Sequence, residues 1–205
     1  MAEPTTRATE LERLFPWLLH WSITDERIGG FRSAAYALET ADGWLLVDPL
    51  PLEPPLEAEL RDVCGIVMTH GNHQRSCWRL RRELGVRVFA PSASTGLDEQ
   101  PDERLDAPNS LPGDVQVQVG RGFHDACYLG HARADGTRVA FVGDLICQDP
   151  GGPYRFPVQP DYFELEGGRE DTRRLLELRP DVLCAAHALP IVEGASAALK
   201  RALDA

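Results

Sequence analysis

The chain is 205 residues long, 43% apolar and 26% charged, a balance that excludes a disordered polymer and a collagen-like repeat. Its 21 basic and 32 acidic side chains give a net charge of −11, which argues against coating nucleic acid or binding an anionic membrane surface. The length accommodates one sizeable core, and with no linker in view we expect a single domain over residues 1–205.

Residues 17–23 and 31–40 read as strands, the second with alternating character. Ala41-Asp42-Gly43 is a hairpin signal, and residues 44–47 return as a buried strand that stops at Asp48. A Pro-rich surface connection over 49–55 leads to a short helix at 57–61. The apolar run 65–69 suits a buried strand and ends in a polar cluster, His70-Gly71-Asn72-His73-Gln74-Arg75. A helix follows, with Asn72 as its N-cap, Cys77, Leu80 and Leu84 at helical spacing, and Gly85 closing it. With a strand at 86–90 this makes a strand–helix–strand unit, which favours parallel neighbours.

Residues 91–113 read as loop, and 115–119 as a strand alternating with Gln. Segments 126–131 and 138–142 flank Ala134-Asp135-Gly136 as a hairpin, the second running into Gly143-Asp144. The irregular segment 148–168 is a lid candidate, with Tyr154, Arg155, Phe156 and Tyr162 as a substrate wall. A helix at 170–178, a strand at 182–186 ending at His187 and a helix at 194–203 complete the chain.

The five cysteines are odd in number, widely spaced and without a C-x-x-C pair, the pattern of reduced, buried thiols. Residues 1–13 lack an apolar signal core, and no stretch reaches the length of a membrane helix. A cytoplasmic location is the expectation.

His70, Asp144 and His187 each follow an apolar strand. Polar residues at three strand ends can meet at one sheet edge, and imidazole nitrogen with carboxylate oxygen is a donor set for zinc or iron. His73, beside this edge, is read either as a substitute ligand or general base, or as a first-turn residue bonded to a loop. Asp48 is expected to be a buried carboxylate accepting backbone N–H groups. His20 and His131 read as strand residues, and the four tryptophans as core.

Four segments, taken in order, make the chain resemble the metallo-β-lactamase fold superfamily, which includes glyoxalase-II-like hydrolases. They are the hairpin 33–49 with Gly-Trp-Leu-Leu-Val-Asp, the unit 66–91, the strand 139–146 with Val-Ala-Phe-Val-Gly-Asp-Leu-Ile, and 169–191 with Asp-Val-Leu-Cys-Ala-Ala-His-Ala-Leu-Pro-Ile. The resemblance implies an α+β fold, the four-layer αββα sandwich. The family's motif is Thr-His-x-His-x-Asp-His. Here Thr69 and His70 match, while Asn72, Gln74 and Arg75 stand at the second histidine, the aspartate and the last histidine. Asp144 matches the bridging aspartate, His187 the terminal histidine and His124 the histidine between the two segments.

The resemblance therefore implies a metal set of His70, His124, Asp144 and His187, holding at most one ion of zinc, iron or manganese, or none. Loss of the motif aspartate and the permanent charge of Arg75 disfavour a second ion, and Arg75 could pair with Asp144 in its place. Asp144, His73 and Arg75 are the candidate catalytic residues. Two readings stay open. One is a metal-dependent hydrolase of an ester, thioester or similar small-molecule substrate. The other is a metal-free relative that has lost catalysis and binds a small anion or a protein in the same cleft.

Overall fold

The computed structural model describes residues 3–106, 110–149, 152–157 and 161–204. Two sheets dominate it. The first has seven strands in sequence order: β1 (Glu12–Phe15), β2 (Leu18–Asp25), β3 (Phe31–Thr40), β4 (Gly43–Val47), β5 (Val63–Val67), β6 (Val88–Pro91) and β7 (Glu103–Leu105). Strands β1 to β4 pair antiparallel and β4 to β7 parallel. The second sheet contains β8 (Ser110–Leu111), β9 (Val115–Val119), β10 (Cys127–Ala132), β11 (Arg138–Gln148) and β12 (Tyr154–Arg155), with β13 (Val182–His187) parallel to β11. Four helices complete the fold: α1 (Pro54–Glu57), α2 (Cys77–Leu84), α3 (Leu165–Glu177) and α4 (Ala195–Asp204).

Side-chain alternation along each strand builds the layers. On β3, Ala34, Tyr36 and Leu38 face the second sheet and meet Leu129, Phe141 and Cys184. Ala35 and Ala37 face outward and join Trp78 and Leu80 of α2. The second sheet repeats the arrangement, with Ala140, Val142 and Leu183 packed under Leu175 of α3 and Leu199 of α4. The result is the αββα stack that the resemblance implied. Burying a side chain such as Leu46, Ile66 or Phe141, each at most 1% exposed, contributes on the order of 1.5–3 kcal/mol. Trp17, Trp21 and Trp78 are core, and Trp44 packs at the edge of the helix-side cluster.

Several boundaries differ from the sequence reading. Strand β1 is additional, and the segment read as loop over 91–113 contains β7 and β8. The first helix begins at Pro54, because two prolines fit a first turn whose N–H groups need no intrahelical partner. The N-cap position of helix α2 is Ser76 and not Asn72, and the Ser76 side chain makes no capping hydrogen bond. Arg75 has φ +35°, a left-handed conformation that a right-handed helix cannot contain, so the helix begins only after it. Helix α3 starts at Leu165, inside the segment read as a lid, and Phe156 and Phe163 of that segment are buried. Residues 150–151 and 158–160 of the same segment lie outside the described residues. All five cysteines are free thiols, and no helix among the described residues is long and apolar enough to cross a membrane.

Candidate metal centre

Three segments meet at one edge of the sandwich. From the first sheet, β5 leads through Met68 and Thr69 into a tight turn over residues 70–76. From the second, β11 carries Asp144 and β13 ends at His187. Irregular register along β11 around Gly143 displaces that strand toward Thr69. Gly143 has φ +49°, and a Cβ there would lie 2.6 Å from Thr69 Oγ. Only glycine permits this approach, which brings Asp144 to the 70–76 turn.

The residues that converge are His73, Asp144 and His187, whose potential ligand atoms all lie within 4.8 Å of one another. His73 Nε2 is 3.0 Å and His187 Nε2 is 3.2 Å from the same oxygen, Asp144 Oδ1. These distances allow ion pairing, yet Asp144 Oδ1 is buried and has no aligned hydrogen-bond donor. The outer nitrogen of each imidazole is fixed. His73 Nδ1 lies 2.9 Å from Asp48 Oδ2, and His187 Nδ1 lies 2.7 Å from the carbonyl oxygen of Arg32. With a proton held at Nδ1 by an oxygen acceptor, it is Nε2 of each ring that faces inward and, once deprotonated, offers its lone pair there. Carboxylate and carbonyl partners of this kind orient the histidines of metal sites.

Two imidazole nitrogens and a carboxylate oxygen also suit a zinc ion with one position left open. The donor chemistry, the fixed outer nitrogens and the convergence of two imidazole nitrogens on one buried carboxylate oxygen thus fit a divalent cation.

Asp48 does as expected and more. Its Oδ1 accepts the Thr69 N–H at 2.7 Å and its Oδ2 the Thr69 hydroxyl at 2.5 Å, besides facing His73. Burial alone would raise its pKa, but His73, Arg75 and the Thr69 hydroxyl together hold it below the usual carboxylate value. Burial and the Arg75 charge pull the His73 pKa down; Asp144 and Asp48 outweigh them and raise it to about 9. Asp144, despite its burial, is held well below the usual range by His73 and His187. Ligation by His73 requires release of its Nε2 proton.

The remaining motif residues are turned to other tasks. His70 is buried, and its Nδ1 accepts the Asn72 N–H at 3.1 Å. That acceptance leaves the proton on Nε2, which lies 3.1 Å from Asp125 Oδ1, so His70 presents an N–H to its surroundings in place of a lone pair. His124 is exposed and stands outside the converging group. Arg75 does not pair with Asp144. It is buried, and its Nη1 donates to the carbonyls of Ala34 at 2.6 Å and Asp48 at 3.0 Å, because the left-handed backbone aims the side chain under the turn. Gln74 is buried too, accepting from the Trp78 indole at 2.8 Å and the Asp98 N–H at 2.6 Å. Asn72 points to solvent.

Sequence reading missed three contributors. The orienting role of Asp48 had a partial signal in its position at a strand end. The Arg32 contribution is a backbone carbonyl, which leaves no trace in sequence. Asp125 reaches His70 because the Cys127 N–H bonds to the Thr69 carbonyl at 2.8 Å and ties the two loops together, a tertiary pairing with no local signature.

No family model and no curated protein sequence matches the chain. Solved structures do. The DIM-1 metallo-β-lactamase superposes with a TM-score of 0.75 at 14% identity, over 97% of this chain and 96% of that one. A metallo-β-lactamase from Pontibacter korlensis gives 0.74 at 16%, over 95% and 97%. The FIM-1 metallo-β-lactamase from Pseudomonas aeruginosa, in its mono-zinc form, gives 0.72 at 15%, over 97% and 94%. Identities this low establish a shared fold and nothing finer.

Proposed function

We propose that this chain, whose fold is that of the metallo-β-lactamases, is a hydrolase dependent on a single metal ion and acting on an ester, thioester or similar bond of a small molecule. One observation carries the reading: His73, Asp144 and His187 converge within 4.8 Å, with both outer imidazole nitrogens fixed by oxygen acceptors. A divalent ion held there would lower the pKa of a coordinated water toward neutrality, which is the chemistry hydrolysis needs.

The chain supplies the rest. Asp48 and the Arg32 carbonyl set the tautomers of His73 and His187. Asp144 contributes the carboxylate. Asp125, whose side chain is 35% exposed, offers a hydrogen-bond acceptor beside the site. Arg75 acts from beneath, pinning the turn to β3 and to Asp48 just past the end of β4.

Metal analysis of the purified protein, with zinc, iron or manganese added back before assay on acetate esters and thioesters, tests this reading. About one equivalent of ion and metal-dependent turnover are expected, and both should be lost in His73→Ala and His187→Ala. Absence of any metal uptake, or uptake unaltered by those substitutions, would point instead to a binding protein without catalysis.

A further inference from the structure

A groove of about 610 Å³ opens on the far side of His187, between the β2–β3 hairpin and the start of the segment after β13. Its size is that of a small-molecule site. Arg32 lines it, and the same residue supplies the carbonyl that fixes His187 Nδ1 at 2.7 Å. The groove therefore shares a wall with the metal group.

Two features give the groove a ligand preference. The first is charge. Its charged lining residues are Arg32 and Asp149. Asp149 is occupied, with its oxygens 2.8 and 3.0 Å from the Arg155 guanidinium. Arg32 donates from Nη1 to the Ser22 hydroxyl at 2.7 Å, and no carboxylate pairs with it among the described residues. An uncompensated guanidinium thus faces the groove of a protein whose net charge is −11. The second is apolar surface. Phe31 and Leu189, both lining the groove, are 50% and 48% exposed.

We infer that this groove binds an amphiphilic oxyanion, its carboxylate or phosphate on the Arg32 guanidinium and its short hydrocarbon part against Phe31 and Leu189. A guanidinium with one arm steadied by a hydroxyl keeps further N–H donors in the fork geometry that both oxyanions accept. That the groove holds one end of the hydrolysed substrate rests on the reading above and makes that substrate an anionic one. The binding itself does not depend on it.

The experiment measures binding of hexanoate, hexyl phosphate, hexanol and hexylamine by calorimetry, with a chelator present so that no ion at the histidines contributes. One or both anions should bind about tenfold more tightly than hexanol, the worth of one charge-assisted contact. The stronger anion identifies the headgroup. Arg32→Gln should abolish the preference, and Arg32→Lys should keep part of it. Because the His187 partner is the backbone carbonyl, neither substitution removes it. Equal affinity for all four compounds, or a preference that survives Arg32→Gln, would overturn the inference. The hydrolase reading stands or falls separately, on metal uptake by the His73 and His187 variants.

Discussion

Asp48→Asn isolates the orienting role of one carboxylate at nearly constant shape. In the native protein, Oδ1 accepts the Thr69 N–H at 2.7 Å while Oδ2 faces both the Thr69 hydroxyl and His73 Nδ1, at 2.5 and 2.9 Å. In the variant, the amide oxygen keeps the Thr69 N–H and the new NH₂ takes the place of Oδ2. Two donors would then face each other across 2.9 Å, so His73 must accept at Nδ1 and carry its proton on Nε2. The lone pair leaves the site. Loss of an orienting partner costs about 10–100-fold in metal affinity, or roughly 1.4–2.8 kcal/mol. Folding stability should also fall, by about 1.5–3 kcal/mol for the buried charged hydrogen bond. Zinc competition against a chromophoric chelator reads the first quantity, and urea melts with excess chelator read the second. Stability lost with zinc affinity within twofold of the parent would refute the tautomer argument and reduce Asp48 to a fold element.

Other outcomes follow from the same geometry. Gly143→Ala places a methyl 2.6 Å from a Thr69 hydroxyl that Asp48 holds fixed, at φ +49°. It should destabilise by about 1–3 kcal/mol in a thermal melt, and weaken zinc binding because Asp144 moves with the strand. Asp25, 2% exposed, accepts from Arg27 and from the Ser33 hydroxyl. Burial raises its pKa, but these partners outweigh burial and hold it below the ordinary 3.8. A depressed carboxylate contributes stability that is complete above its unfolded value and disappears as pH falls through the folded one. Asp25→Asn should therefore cost about 1.5–3 kcal/mol at pH 7, with the gap from the parent closing below pH 3.8 in paired urea melts. A gap unchanged at pH 3 would mean that shape and not charge matters there.

The layered fold was legible because apolar strands such as 44–47 and 182–186 announce themselves by composition, and because their polar terminal residues mark one sheet edge. Asp144 and His187 were legible for that reason. The 70–76 turn was not. Which of its side chains enters the site is decided by the left-handed backbone of Arg75 and by bonds from Gln74 to Trp78 and Asp98, all of them set by tertiary packing. His73 therefore faces the cleft where spacing alone left two readings open. Arg75 lies beneath the site, because its carbonyl acceptors, Ala34 on β3 and Asp48 just past β4, are remote in sequence. His124 is placed by a loop tied to Thr69, so its exposure could not be read from its neighbours.

The first sheet is drawn from residues 12–105 and the second from 110–187, so His73 comes from the leading half of the chain and Asp144 with His187 from the trailing half. A cation shared among them would act as a rivet between two lobes. By mass action, an ion at a hundred times its dissociation constant would add about 2.7 kcal/mol to the apparent cohesion of the whole. The coupling is reciprocal. Tyr36 spans the same seam, with its hydroxyl donating to the Ala185 carbonyl at 2.9 Å and its ring 5.7 Å from Phe141. Loosening that contact should weaken the grip on such an ion, which would make metal affinity a gauge of how firmly the two lobes are seated.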